Sequence, residues 1–204
     1  MPDLQLKFER LKRIKQECKQ NKGKGFKQKY EHDDGSKTEH VVKNIKSPEQ
    51  YEDQIANLAV NLWSLKDYLV AELKVIGKDP QVVEKYVNSC PSLQLCADIA
   101  NTEKHKKLHN SRSEKWPVLG RARVVVPGHS VNELIFQGPK VTTSVRTPES
   151  AEYKIDILDK EGRIVGDAEQ TLDRALDSWE RFFNQNFPGR LNIQTANASV
   201  LLED

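Results

Sequence analysis

One long helical segment, residues 47–77, constrains the fold of this chain more than any other feature. Ser47 is a typical N-cap residue, Pro48 suits the first helical position, and Gln50 completes a capping box. Apolar residues then keep helical spacing over about seven turns: Tyr51, Ile55, Leu58, Leu62, Leu65, Leu69, Leu73 and Ile76. Gly77 is typical of the residue that ends a helix. So long an apolar stripe needs other helices to bury it, and we predict a helical bundle around it.

The segments on either side of this helix complete the bundle. Leu4, Phe8, Leu11, Ile14 and Cys18 recur at helical steps and predict a first helix over residues 1–20. Two further starts, at Asp79-Pro80 and at Ser92, extend the predicted bundle over residues 47–110. Residues 21–46 are rich in glycine and charge and lack apolar periodicity, so we predict a basic flexible linker there.

Beyond residue 110 the apolar pattern changes to that of strands. Short β-rich runs bounded by Gly and Pro predict a small antiparallel sheet. Residues 152–158 and 163–165 give the best hairpin, with Gly162 supplying a positive φ in the loop. An amphipathic helix follows Asp167, and residues 118–187 form the sheet-plus-helix unit before a tail, residues 188–204. The predicted class is α+β: an N-terminal helical bundle, a small antiparallel β-sheet and a C-terminal amphipathic helix.

Composition and motifs narrow the class of function. The 204 residues contain no long apolar run and only three cysteines, Cys18, Cys90 and Cys96, which indicates a protein of the reducing cytoplasm with no membrane span and no disulfide framework. Cys90 and Cys96 lie in an apolar helical setting, where we expect burial. Phosphate-loop, dinucleotide-binding, nucleophile-elbow, H-E-x-x-H and C-x-x-C motifs are absent. We expect no metal and no cofactor.

The two ends of the chain carry opposite charge. Residues 1–46 hold 13 basic and 7 acidic side chains, and residues 149–204 hold 6 basic and 12 acidic ones. The basic arm could attract a phosphate backbone, or it could dock on the acidic C-terminal helix of its own or a neighbouring chain. The residues predicted for nucleic-acid contact are Lys22, Lys24, Phe26, Lys27 and Tyr30, since bases stack on aromatic rings while lysines neutralise phosphates. Alternatively, the two aromatic rings anchor this segment to the body.

A polar stripe is predicted on the helix that follows Ser92. Asn101 and His105 are four residues apart, with Asp98 one turn earlier and His109 one turn later. A His pair at this spacing can chelate zinc, but the usual sites need further ligands. The long helix offers a second stripe with Asn57, Asn61, Ser64 and Asp67. The alternative is a helix end where His105, Lys106 and their neighbours meet the helix dipole favourably.

A family resemblance rests on these two helices. Residues 62–69, LWSLKDYL, and residues 96–105, CADIANTEKH, resemble a bacterial protein family of unknown function, and the helical half more distantly resembles HEPN domains. That superfamily is a helical bundle, commonly dimeric, whose active members are metal-independent ribonucleases of toxin–antitoxin, abortive-infection and CRISPR-type defence systems. They use an Arg followed four to six residues later by His. Here Asn101 and His105 match the polar residue and the His, but no Arg precedes His105 at that spacing.

Three functional hypotheses follow. In the first, the chain is a noncatalytic helical interaction module with a protein partner or a second copy as its ligand. In the second, it is HEPN-like and RNA-linked, with His105 as general acid or base, Asn101 beside it, and Lys104 in the place of the missing Arg. Lys106 and Asp98 would then help to bind RNA. In the third, it is a small-molecule enzyme or sensor whose pocket between bundle and sheet is lined by Asn57, Asn61, Asp67, Asn101 and His105.

Overall fold

A computed structural model describes residues 2–105 and 108–188 and confirms the α+β class. The helices are α1 Pro2–Lys19, α2 Pro48–Val75, α3 Gln81–Asn88, α4 Pro91–His105 and α5 Ala168–Asn186. The strands are β1 Phe26–Glu31, β2 Lys37–Lys43, β3 Val118–Leu119, β4 Arg123–Val125, β5 Val131–Gln137, β6 Lys140–Val145, β7 Glu152–Lys154, β8 Asp156–Leu158 and β9 Ile164–Asp167. The Lys106 side chain and the tail beyond residue 188 lie outside the described residues.

Helix α2 is the centre of the bundle, and it begins as its sequence predicts. The Ser47 hydroxyl accepts from the Gln50 backbone N–H at 3.1 Å, and the Gln50 side chain accepts from the Ser47 N–H at 3.0 Å. These two bonds satisfy donors that a helix start leaves without a partner. Past Val75 the chain turns away through Gly77, whose φ of 71° favours glycine.

The core lies where α1, α2, α4 and α5 meet, with Ile155 and Ile157 entering it from the strand region. An edge-to-face contact between Phe8 and Phe183, with ring centroids 5.7 Å apart, joins the first and last helices. Two ion pairs run along the same contact, from Lys12 to Glu180 at 3.8 Å and from Lys15 to Asp173 at 2.9 Å. Part of the opposite charge of the two chain ends is therefore paired within the protein itself.

Residues 21–46 correct the predicted flexible linker, because they contain the antiparallel hairpin β1–β2. Their glycines serve close packing instead of mobility. A Cβ on Gly23 would lie 2.5 Å from the backbone nitrogen of Lys46, so only glycine fits there. The lysines hide a strand alternation in which Phe26 and Val42 pack on a small apolar cluster around Ile45 and Val145.

The sheet is mixed, where a purely antiparallel one was predicted. Its strand order is β1-β2-β6-β5, and β2 runs parallel to β6 while the outer pairs are antiparallel. The difference arises because the N-terminal hairpin, unrecognised in the sequence, adds to a C-terminal one. A three-stranded antiparallel sheet, β3-β8-β9, and a pair, β4-β7, lie apart from it.

The buried Lys46 joins the four-stranded sheet to the bundle. Its ammonium donates to the Cys18 carbonyl at 2.5 Å and to Gln54 Oε1 at 3.0 Å. It also lies 4.7 Å from the ring centroid of Tyr51 and 5.0 Å from that of Tyr153. Burial lowers the pKa of this lysine. One cation thus fastens the end of the hairpin to α1, α2 and β7.

Candidate functional site

The polar residues predicted on α2 and α4 fall into separate groups. Asn61 is buried, donates to the Asn57 side chain at 2.8 Å, and accepts from the Lys7 ammonium at 3.2 Å. Burial is the main cause that lowers the pKa of Lys7, and the charges of Arg10 and Lys104 lower it further. The structure therefore brings Asn57, Asn61 and Lys104 near one another through Lys7, a residue of α1 that the sequence gave no reason to include.

Asp98 faces a different part of the molecule. Its carboxylate is fully buried and accepts from the hydroxyl of Ser111 at 2.7 Å, from the backbone N–H of Arg112 at 2.8 Å, and from both donors of Ser113. Such a bonded carboxylate fixes the connector that follows α4. It does not share a ligand surface with His105.

The predicted catalytic residues lie at the end of α4. His105 is the last residue of the helix and is exposed, as is Lys104, while Asn101 one turn earlier is half-buried. Asp67 is exposed on α2. No hydrogen bond or ion pair joins Asn101, Lys104 and His105 to one another among the described residues. Their assignment as catalytic stays a prediction.

The residues predicted for nucleic-acid contact lie on the hairpin and on the segment that leads into it. Lys22 and Lys24 are exposed before β1, and Lys27 is exposed on that strand. Phe26 and Tyr30 are two of the residues that share one face of the sheet, because they are an even number of positions apart. Phe26 packs on the cluster around Ile45, as the anchoring alternative expected, but Tyr30 remains exposed.

Strand pairing places further aromatic side chains on the face that carries Tyr30. One row across the four strands consists of Gln28, His40, Val141 and Phe136. The Tyr30 and His40 rings contact edge to face, with centroids 5.0 Å apart. Phe136 is 70% exposed and Leu134, two residues before it, is 51% exposed. We call Tyr30, His40, Leu134 and Phe136 the aromatic face.

Three clefts cut the surface, but none is lined by the residues predicted for a pocket between bundle and sheet. A cleft of about 490 Å³ lies between β1, the start of α2 and β4, with Lys27, Arg121 and Arg123 in its wall. A second, of about 710 Å³, lies beside β7 and the start of α5, with Glu152, Asp167 and Glu169 in its wall. Asn57, Asn61, Asp67, Asn101 and His105 line neither of these nor the third.

The third cleft contains a residue that sequence reasoning set aside. It lies between the start of α4, α5 and β9, measures about 610 Å³, and has Cys90 in its wall. Cys96 is fully buried, as expected, but Cys90 is only half-buried and precedes the first residue of α4. The signal in the sequence is Cys90-Pro91, a small polar side chain directly before a proline at a helix start.

Comparison of the chain with protein-family profiles, curated proteins and solved structures finds no match. In the part of the chain that the structure describes, no group of three or more His, Cys, Asp or Glu side chains is arranged to hold a metal ion. None of the described helices is both long enough and apolar enough to cross a membrane. The function must therefore be argued from the surfaces and clefts themselves.

Proposed function

We propose that this chain is a noncatalytic, RNA-linked interaction module that binds single-stranded RNA on the four-stranded sheet. The observation that carries the proposal is the aromatic face, where Tyr30, His40 and Phe136 share one side of the sheet and remain exposed. Unstacked bases bind to such rings because every base has a π-face. A sheet that served only as scaffold would bury a phenylalanine such as Phe136.

The spacing of the rings suits several bases. Tyr30 lies on the edge strand β1 and Phe136 on the opposite edge strand β5. Three interstrand spacings separate these strands, which is about 14 Å. Bases can therefore stack on the two rings separately, with His40 between them near Tyr30.

Cations for the phosphates lie on the edge strand beside the rings. Lys27 and Lys29 are exposed on β1, and Lys22 and Lys24 precede it. Lysine side chains on an edge strand are long enough to reach a backbone that crosses the sheet. They also leave RNA binding dependent on salt, since each phosphate contact releases counterions.

The position of His105 supports binding in preference to cleavage. An exposed side chain at the last residue of a helix is poorly oriented for proton transfer, and no Arg stands at the HEPN spacing. The HEPN-like origin of the helical half, a bacterial source and a cytoplasmic location remain part of this proposal. A homodimer or a protein partner is the other ligand that the first hypothesis requires.

The test is fluorescence anisotropy with labelled single-stranded and duplex RNA over a salt series, in EDTA. We expect the wild type to prefer the single strand, and Tyr30→Ala and Phe136→Ala each to weaken it by about 5- to 100-fold, the range of about 1 to 3 kcal/mol for one stacked base. The double substitution of Lys27 and Lys29 by Gln should flatten the salt dependence by about 0.7 per lost phosphate contact.

Tyr68→Ala is the matched control, because Tyr68 is an exposed tyrosine on α2, 39% exposed, away from the sheet. We expect this variant to bind as the wild type does. Binding that survives loss of both Tyr30 and Phe136 would contradict the proposal. Cleavage of the RNA that disappears in His105→Ala would replace it with the HEPN-like ribonuclease hypothesis.

A further inference from the structure

The third cleft, which we call the α4–α5 cleft, is open enough to admit a small molecule. Its volume of about 610 Å³ is typical of ligand pockets. Its walls come from the start of α4, from β9, from α5 and from the connector at Lys115. This cleft lies on elements that the aromatic face does not use, so the inference is independent of the RNA proposal.

The charge of the cleft is positive. Lys115, Arg174 and Arg181 line it, against one carboxylate, Asp167. Asp167 already accepts from the Gln170 backbone N–H at 2.9 Å as the N-cap of α5. Among the described residues no carboxylate pairs with Lys115 or Arg174, and Arg181 donates only to the Ser178 hydroxyl and the Asp177 carbonyl. Cations without counter-charges around one space attract an anion.

A buried hydroxyl also lacks a partner in this cleft. Thr171 is 7% exposed and lines the cleft, and its hydroxyl makes no hydrogen bond with any described residue. Buried polar groups are normally bonded, so a free one in a cleft wall indicates a place for a ligand atom. The hydroxyl oxygen lies 3.3 Å from where a Cβ would stand on Gly166, which also lines the cleft. Glycine at that position leaves the space in front of the hydroxyl open.

The Cys90 thiol stands in the same wall. Its sulfur lies 3.3 Å from the hydroxyl oxygens of both Ser92 and Ser178. Burial raises the pKa of this thiol, but bonds from those two hydroxyls and from backbone N–H groups of the first turn of α4 outweigh burial and lower it overall. Cys90 is therefore a reactive group beside the space where an anion would lie.

We propose that the α4–α5 cleft binds a small molecule through its phosphate group, held by Arg174, Lys115 and the Thr171 hydroxyl, with the Cys90 thiol against the bound ligand. Phosphate fits this donor set better than a carboxylate does. Two cations and one hydroxyl reach the space from different elements, and a phosphate presents three or more acceptor oxygens to them. A guanidinium can bind two of those oxygens at once.

The experiment uses the full chain and inorganic phosphate as the probe. Iodoacetamide should alkylate Cys90 first, because Cys18 and Cys96 are buried, and peptide mass spectrometry assigns the modified residue. We expect saturating phosphate to slow Cys90 alkylation at least fivefold relative to sodium chloride of equal ionic strength, which removes simple screening as the cause. Calorimetric titration of the same protein should show a single phosphate site.

Variants decide whether the cleft is responsible. Arg174→Gln should abolish the protection, and Thr171→Val, which keeps the shape and removes the hydroxyl, should weaken phosphate binding several-fold. Arg13→Gln is the matched control, since Arg13 is an exposed arginine on α1 outside the cleft. Absence of both protection and binding heat would overturn the proposal, as would protection that persists in Arg174→Gln. Protection by acetate and not by phosphate would overturn the phosphate assignment.

Discussion

The Asp98 carboxylate holds Ser113 by both of its donors, the backbone N–H at 2.9 Å and the hydroxyl at 2.7 Å. Together with the bonds from Ser111 and Arg112, this makes one buried side chain of α4 the anchor of the connector that leads into the strand region. The anchored connector in turn carries the Arg112 guanidinium to the Glu84 carboxylate at 2.9 Å. A residue that sequence analysis placed in a ligand-binding stripe is thus part of the fold.

Loss of the Asp98 carboxylate should destabilise the protein strongly. Asp98→Ala leaves several buried donors of residues 111–113 without an acceptor, and we expect a loss of about 2 to 4 kcal/mol in the free energy of unfolding. Asp98→Asn keeps one acceptor oxygen and should cost less. Urea denaturation followed by circular dichroism measures both, and wild-type stability in Asp98→Ala would contradict the anchoring role.

Replacement of Lys46 should loosen the junction between sheet and bundle. Lys46→Met keeps the length of the side chain but leaves the Cys18 carbonyl and the Gln54 amide oxygen without their donor. We expect a loss of about 2 to 4 kcal/mol, since both acceptors lie at a buried joint. The matched control is Lys43→Met, an exposed lysine on β2, which should change stability by less than about 0.5 kcal/mol. Equal effects of the two substitutions would show that Lys46 has no special role.

Alkaline pH should destabilise the fold in part through Cys96. Burial raises the pKa of the Cys96 thiol to about 12 from an ordinary value of 9.0. Below pH 9.0 the thiol is neutral in both states, but between those values the unfolded chain loses the proton that the folded chain keeps. Stability therefore falls as pH rises, by about 1.4 kcal/mol per pH unit for one such group.

Cys96→Ala removes this contribution, so its stability should fall less steeply above about pH 9. Urea midpoints measured at intervals from neutral to alkaline pH test it, with the absolute loss from the smaller side chain subtracted at neutral pH. Cys18, whose pKa burial raises to about 11, should still produce a residual slope in the variant. Parallel curves for wild type and Cys96→Ala would exclude the thiol as a cause.

The reactivity of Cys90 should titrate below that of an ordinary cysteine. Only the thiolate reacts with iodoacetamide, so the pH midpoint of the alkylation rate reports the pKa of the thiol. Because the bonds from the serine hydroxyls and the first turn of α4 lower that pKa, Ser92→Ala should move the midpoint to higher pH. An unchanged midpoint in Ser92→Ala would show that this hydroxyl does not stabilise the thiolate.

Local patterns predicted the helices and the last hairpin well, because their causes are local. The capping box at Ser47 and the glycine after residue 75 mark α2, and Gly162, with φ of 79°, turns the chain between β8 and β9 as expected. The N-terminal hairpin was missed since its partner strand β6 lies about a hundred residues away in sequence. Long-range strand pairing leaves no local signal, and the lysines of β1 masked its alternation.

The candidate sites show the same division. Tyr30 and Phe26 were recognised from composition, but Phe136 joins them only through the pairing of β5 with β6. Asp98 looked like part of a ligand surface because its partners, residues 111–113, approach it only in the folded chain. Cys90 looked like a core thiol because its neighbours in sequence are apolar, whereas the residues that make it reactive come partly from α5.

The central claim is that RNA lies on the aromatic face, and ultraviolet cross-linking of single-stranded RNA to the full chain tests it most directly. After digestion, mass spectrometry identifies the peptides that carry a nucleotide. We predict cross-links at Tyr30 or Phe136, reduced in the respective alanine variants and unchanged in Tyr68→Ala. Cross-links confined to the end of α4 around His105, or none from protein that binds RNA by anisotropy, would contradict the account.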